Sequence, residues 1–254
     1  CSLGEALSAM VPSGLRIRRE ILAAASGTVT APDPGAAPAP CAGTVTLTGH
    51  QRRALKAIVE ALDSPRAERL LLYGVTGSGK TELYLQAIDH TLRQGRSAIC
   101  LIPEIALTPQ TTDRFHERFG ARVAVWHSRV GARQRAEDWV RLAHGSCRIV
   151  VGARSAVFAP VVRLGLVIID EEHEQTYKQE DTPRYHAREV ALTRARLVGA
   201  TVLLGSATPS VESYHAAARE PGRLLTLPER ILGRELPKAE VIDMREELAR
   251  RHRT

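Results

Sequence analysis

The stretch LLLYGVTGSGKTELYLQAI, Leu70–Ile88, decides how the rest of this sequence is read. Its first four residues are continuously apolar, as suits a short strand covered on both faces. From Thr81 the pattern changes to a helical period: Glu82, Gln86, Asp89 and Arg93 fall on one face, and Leu83, Tyr84, Ala87, Ile88 and Leu92 on the other, with Gly95 as the stop. Between strand and helix, Gly74–Thr81 fits the spacing G-x-x-x-x-G-K-[ST]. A glycine-rich turn that opens a helix presents several backbone N–H groups, and the positive end of the helix dipole, to one point in space. Such a turn attracts phosphate.

Gly74, Val75, Thr76, Gly77, Ser78, Gly79, Lys80 and Thr81 are therefore candidate ligands of a nucleoside triphosphate. Lys80 is placed to reach the β- and γ-phosphates, and the Thr81 hydroxyl to hold Mg²⁺. The competing reading is an exposed lysine in a flexible turn. The full eight-position match in a strand–helix setting argues against it.

Working outward, apolar runs alternate with amphipathic ones. Strands are expected at 70–73, 98–102, 123–126, 148–151, 166–170 and 201–205, and helices at 81–94, 109–119, 132–144, 187–198 and 209–219. Ahead of them, Thr48 with Gln51 three residues on is a capping-box signal for a helix running to about Leu62. Gln51 has a second reading as an adenine ligand. Short Val/Ile/Leu strands separated by helices predict an α/β fold, a mostly parallel sheet with helices on both faces, whose ligands sit outside the carboxyl ends of the strands.

The strand LVIID (166–170) ends in Asp170-Glu-Glu-His173. A carboxylate closing a buried strand beside a phosphate loop is suited to Mg²⁺, which assigns Asp170; Glu171 is then the group that orients or deprotonates an attacking water. Ser206-Ala207-Thr208 closes the next strand. By itself Thr208-Pro209 reads as a helix cap followed by a first-turn proline.

The 254 residues are 44% hydrophobic and 25% charged, ordinary for a soluble protein. No apolar run approaches the roughly 18–20 residues of a membrane span, and no signal-like leader is seen, so no membrane partner is expected and cytoplasm is the default. The four cysteines form no CxxC pair, against a zinc site or a disulfide scaffold within this chain. Net charge is +7, mostly from arginine, which fits either a solubilising surface or a polyanionic partner. Residues 1–24 read as the remnant of a preceding region, 25–47 as an Ala/Pro/Gly linker, 48–220 as the α/β lobe and 221–254 as a connector.

Phosphate loop, DEEH and SAT in that order resemble the first, RecA-like P-loop NTPase lobe of superfamily 2 DExH helicases. Longer strings narrow the resemblance to the replication-restart helicases, the PriA family: GVTGSGKTELYL (74–85), PEIALTPQ (103–110), His127-Ser128, VGARSAVFAP (151–160), DEEHEQTYKQEDTPRYHARE (170–189) and GSATPSVES (205–213). The similarity runs from about Thr48 to Arg219 and more loosely through VIDMREE (241–247). It implies an ATP- and Mg²⁺-dependent DNA translocase of 3′–5′ polarity that acts at DNA forks and single-stranded DNA, with primosome and single-strand-binding proteins as partners. His173, Ser206, Ala207 and Thr208 would couple nucleotide state to DNA grip. Thr108, Gln110, Arg154 and Ser155 would touch the DNA backbone.

The segment 174–188 corresponds to an aromatic-rich loop in that family. Tyr177, Tyr185 and His186 would stack on bases there, and Lys178, Arg184 and Arg188 would meet phosphates. Some relatives carry a tryptophan where Thr182-Pro183 stands here. The second lobe, with its arginine finger and zinc-binding cysteine pairs, lies outside this sequence, so the chain alone is expected to bind ATP–Mg and hydrolyse it poorly. A non-catalytic scaffold that binds nucleotide and DNA during primosome assembly shares Lys80 and Thr81 but has no need of Glu171. A small-molecule kinase has no use for DEEH or SAT.

Overall fold

The computed structural model describes residues 46–231. The expectations for 1–45 and for 232–254, including the resemblance through VIDMREE, lie outside the described residues. Seven strands form the main sheet: β1 (Arg69–Gly74), β2 (Ser97–Leu101), β3 (Val123–Trp126), β4 (Ile149–Gly152), β5 (Leu164–Ile169), β8 (Thr201–Ser206) and β9 (Leu224–Leu227). Their order is β3-β4-β2-β5-β8-β1-β9, and every neighbouring pair is parallel. A two-stranded antiparallel hairpin, β6 (Lys178–Gln179) with β7 (Tyr185–His186), stands apart from it.

The two-residue alternation of strands sorts the core into two halves. Leu70, Leu72, Ala98, Cys100, Ile149, Val151, Leu166, Ile168 and Leu203 face helices α1 (Gly49–Asp63), α2 (Lys80–Arg93) and α3 (Pro109–Phe119). Leu71, Ile99, Leu101, Val150, Val167, Ile169, Val202 and Leu204 face α4 (Ala132–Ala143), α5 (Ala187–Val198) and α6 (Val211–Arg219). Strands buried on both faces need apolar residues at every position, which is why β5 reads LGLVII without a polar interruption. Each fully buried Ile or Leu there contributes about 1.5–3 kcal/mol by leaving water. A parallel sheet also puts all strand carboxyl ends at one edge. There the chain turns out at Gly74, Asp170 and Ser206.

The predicted elements are all present. The capping box is formed: the Gln51 N–H donates to Thr48 Oγ1 (3.2 Å), and the Thr48 N–H to Gln51 Oε1 (2.8 Å). Three features differ from expectation. Helix α6 starts at Val211 with Ser210 as its N-cap, so Thr208-Pro209 is not the cap. The hairpin β6–β7 was not anticipated. Strand β9 pairs with β1 from Leu71↔Leu224 to Gly74↔Leu227, so the sheet runs past the boundary expected at 220. Four residues carry too little pattern to announce an edge strand; only the partner strand defines it.

Candidate nucleotide-binding site

The phosphate loop has the backbone its glycines require. Gly77 and Gly79 take φ of 80° and 85°, a left-handed region that other residues seldom enter. At Gly74 a Cβ would stand 2.6 Å from Ser78 Oγ and 3.0 Å from Leu227 Cβ, so any side chain there would force its neighbours to shift. Gly79 is the N-cap of α2 and supplies no side-chain acceptor, so the first-turn N–H groups of this helix face the cleft. Lys80 Nζ donates to the Gly74 carbonyl (2.9 Å) and lies 3.6 Å from Glu171 Oε1.

Residues 75–82, Leu85, Arg114, Asp170, Glu171 and Ile231 line one open cleft of about 370 Å³. Lys80 and Asp170 are therefore on the same side of the sheet, across β8. Ser78 Oγ is buried there without a hydrogen-bond partner among the described residues. An orphaned hydroxyl, a glycine cradle, a buried lysine and a strand-end carboxylate fit a magnesium–triphosphate. Mg²⁺ takes one or two protein oxygens and completes its shell with phosphate and water, so Thr81 and Asp170 suffice.

Asp170 accepts a hydrogen bond from Tyr84 Oη at 2.8 Å. Burial raises its pKa above the usual carboxylate range, while the Tyr84 hydroxyl opposes that rise. Burial, and then the charge of Asp170, hold the Tyr84 phenol well above its usual range, so it remains the donor. Gly205 makes this bond possible, because a Cβ there would fall 1.7 Å from the Tyr84 oxygen. The sequence places Tyr84 only on an apolar helix face and Gly205 only at a strand end.

Glu171 adopts φ 43°, an unusual backbone for a residue with a Cβ. Its carboxylate lies between Lys80 and the SAT segment, with Oε2 3.5 Å from both Ser206 Oγ and Ala207 N. His173 bridges onward: Nδ1 is 2.8 Å from Ser206 Oγ, and Nε2 3.3 Å from Thr208 Oγ1. The Thr208 N–H in turn donates to Ser206 Oγ (2.9 Å). The residues assigned to coupling, His173, Ser206, Ala207 and Thr208, thus form one connected cluster.

Gln51 does more than cap. Its amide Nε2 donates to the Ser78 carbonyl (2.8 Å), which ties the start of α1 to the phosphate loop. Ile231 closes the same flank, with its N–H on the Gly77 carbonyl (3.0 Å). No motif in the sequence pointed to Ile231.

Glu172 is fully buried and belongs to the scaffold. It accepts from the Ser210 N–H (2.6 Å), from Ser213 Oγ (2.8 Å) and from Arg188 Nη1 (2.7 Å). Burial by itself would raise its pKa, but these donors together hold it below the usual value.

Two of the expected DNA contacts are corrected by the structure. Tyr177 is 1% exposed, and its hydroxyl donates to the backbone carbonyls of Asp170 (2.6 Å) and Leu101 (3.1 Å), so its ring has no face open to a base. Arg188 is committed to Glu172, Ser210 and Ser213 rather than to an outside phosphate. His186 caps α5 through Nδ1, which accepts the Arg188 N–H at 3.2 Å. Lys178 and Arg184 are exposed, and Tyr185 is half-buried edge-on against Phe158. Thr108 caps α3 and Gln110 is exposed beside it. Arg154 Nη1 donates to the carbonyls of Thr176 and Lys178, and Ser155 Oγ accepts from Arg135 (2.7 Å).

A parallel α/β lobe with a phosphate loop, DEEH and SAT meeting at one sheet edge is the nucleotide-binding unit of a helicase. Residues 48–217 match the DEAD/DEAH box helicase family, and the chain belongs to it. The similarity to replication restart protein PriA, expected from the sequence, is borne out. With that protein of Bacillus subtilis (strain 168) it shares 51% identity over 208 residues, covering 82% of this chain and 26% of the relative. The PriA protein of Treponema pallidum is 44% identical over 247 residues, 97% of this chain and 36% of the relative. The chain therefore spans about a quarter to a third of the length of these relatives.

Among solved structures, RecG bound to a three-way DNA junction superposes with a TM-score of 0.61 at 24% identity, over 83% of this chain and 27% of that one. The Hef helicase domain of Pyrococcus furiosus gives 0.51 at 16%, over 70% and 37%. Both share the RecA-like fold. No helix among the described residues is long and apolar enough to cross a membrane.

Proposed function

We propose that this chain is the ATP-binding first motor lobe of a cytoplasmic replication-restart DNA helicase, a 3′–5′ translocase acting at forks with primosome and single-strand-binding partners. The observation that carries the reading is the single cleft in which Lys80, Thr81, Asp170 and Glu171 converge, joined through His173 to the SAT segment. Resemblance to the PriA proteins adds the DNA and the partners.

In this reading the loop N–H groups and Lys80 hold the phosphates, and Thr81 with Asp170 hold Mg²⁺. The metal, when bound, neutralises charge that develops on the transferred phosphoryl group. Glu171 orients the attacking water and accepts its proton. Any change in the position of Glu171 reaches Ser206 and Ala207 directly, and Thr208 through His173. A kinase reading gives that cluster no task. Grip on DNA falls to the exposed residues at Thr108–Gln110, to Lys178 and Arg184, and to the half-buried Tyr185.

The test begins with nucleotide titration of the 254-residue chain. Lys80→Ala should abolish ATP–Mg binding, and Glu171→Gln should retain it. In a longer polypeptide that carries a second lobe, DNA should stimulate hydrolysis, and Glu171→Gln should remove that turnover. Hydrolysis that survives Glu171→Gln would refute the assignment.

A further inference from the structure

The cleft has a cation that no motif supplies. Arg114, on α3, is exposed and lines the cleft with Thr81, Glu82 and Leu85, yet it makes no hydrogen bond or ion pair among the described residues. Its helix is anchored by Phe115 and Phe119, both buried in the core. One turn on, Arg118 shares its face and reaches Glu82 Oε1 at 3.3 Å, which fixes that face of α3 against the first turn of α2. Glu82, the acid nearest the phosphate loop, is also held by Gln86 (2.8 Å). Arg114 lines the cleft and has no such partner among the described residues.

Sheet order says which end of a nucleotide Arg114 meets. In the order β2-β5-β8-β1-β9, Ile231 follows β9 and enters the cleft from one side, next to Gln51 and Gly77. Helix α3 follows β2 and enters from the opposite side, beside Thr81 and Asp170. A nucleotide whose phosphates lie along the loop places its base on the Ile231 side and its terminal phosphate on the metal side. Arginine offers five N–H donors in a planar fork matched to phosphate oxygens.

We infer that Arg114 is a phosphate-contacting residue supplied by this lobe itself, specific for the γ-phosphate. This rests on the nucleotide reading above and deepens it. Its consequence is selective: Arg114 discriminates ATP from ADP, whereas Lys80 supports both. It also sits four residues beyond Gln110 on one helix, so the proposed DNA-contacting end of α3 and the phosphate contact move as a unit.

The experiment is a titration of the 254-residue chain with fluorescent ATP and ADP analogues in Mg²⁺. Loss of one charge-assisted phosphate contact should weaken ATP by about tenfold in Arg114→Ala and leave ADP within about twofold. Arg114→Lys should recover part of the difference, and thermal unfolding without nucleotide should match the parent chain. An unchanged ATP-to-ADP ratio, or equal loss for both, overturns the assignment of Arg114 alone. A parent chain that binds neither nucleotide overturns the nucleotide site itself.

Discussion

Replacing Tyr84 by Phe removes one oxygen from a side chain that is 2% exposed and otherwise unchanged in shape. What is lost is the 2.8 Å hydrogen bond to Asp170. A hydrogen bond to an ionised acceptor contributes about 1.5–3 kcal/mol, and one to its neutral form about 0.5–1.5 kcal/mol. The loss must therefore depend on pH. Burial keeps the folded-state pKa of Asp170 above its unfolded value, so this group costs stability as pH rises through that interval and no further above it.

Without the hydroxyl the folded-state value rises again, and the added cost falls only where Asp170 is ionised. Urea unfolding of the parent and Tyr84→Phe chains should differ by about 1.5–3 kcal/mol where Asp170 is ionised, narrowing to about 0.5–1.5 kcal/mol once Asp170 is protonated. Over the same range the acid limb of Mg²⁺-dependent nucleotide binding should move to higher pH in the variant. A difference that is constant with pH, or an unmoved acid limb, would refute the claim that Tyr84 tunes this carboxylate.

Gly205→Ala drives a Cβ into the Tyr84 oxygen and should cost more stability than Tyr84→Phe; adding Tyr84→Phe to it should restore part of the loss, because the atom met at 1.7 Å is then gone. A double variant no more stable than Gly205→Ala would contradict that geometry. Glu172→Ala removes the buried counter-charge of Arg188, which keeps its serine hydroxyls, and the acceptor of the Ser210 N–H, so urea unfolding should report a loss of about 3–5 kcal/mol. Nucleotide affinity in whatever fraction stays folded should be unchanged, since Glu172 does not line the cleft.

Much of this protein was legible locally. The phosphate loop is contiguous, and its three glycines are each demanded by φ or by close approach. Strands covered on both faces read as unbroken apolar runs, so β1, β2, β5 and β8 were visible without a partner in sight. DEEH and SAT could be placed at strand ends, and a parallel sheet then brings those ends to one edge.

What the sequence could not supply are contacts that join distant segments. Tyr84 and Asp170 are 86 positions apart, and Gly205 shows its purpose only beside them. The family resemblance makes Tyr177 a stacking residue, and a short loop carries no periodicity to say which side chains turn inward. Burying its ring while its hydroxyl reaches two main-chain carbonyls settled that. Glu172 sat in a string of acids, yet folding made it the anchor of two helix starts. Local pattern determined the helices, the strands buried on both faces, the fold class and the phosphate cradle, because backbone geometry and burial act over a few residues. Only the tertiary structure decided which charges stay free at the cleft, since a side chain is free or committed according to what the rest of the chain brings within about 3 Å of it.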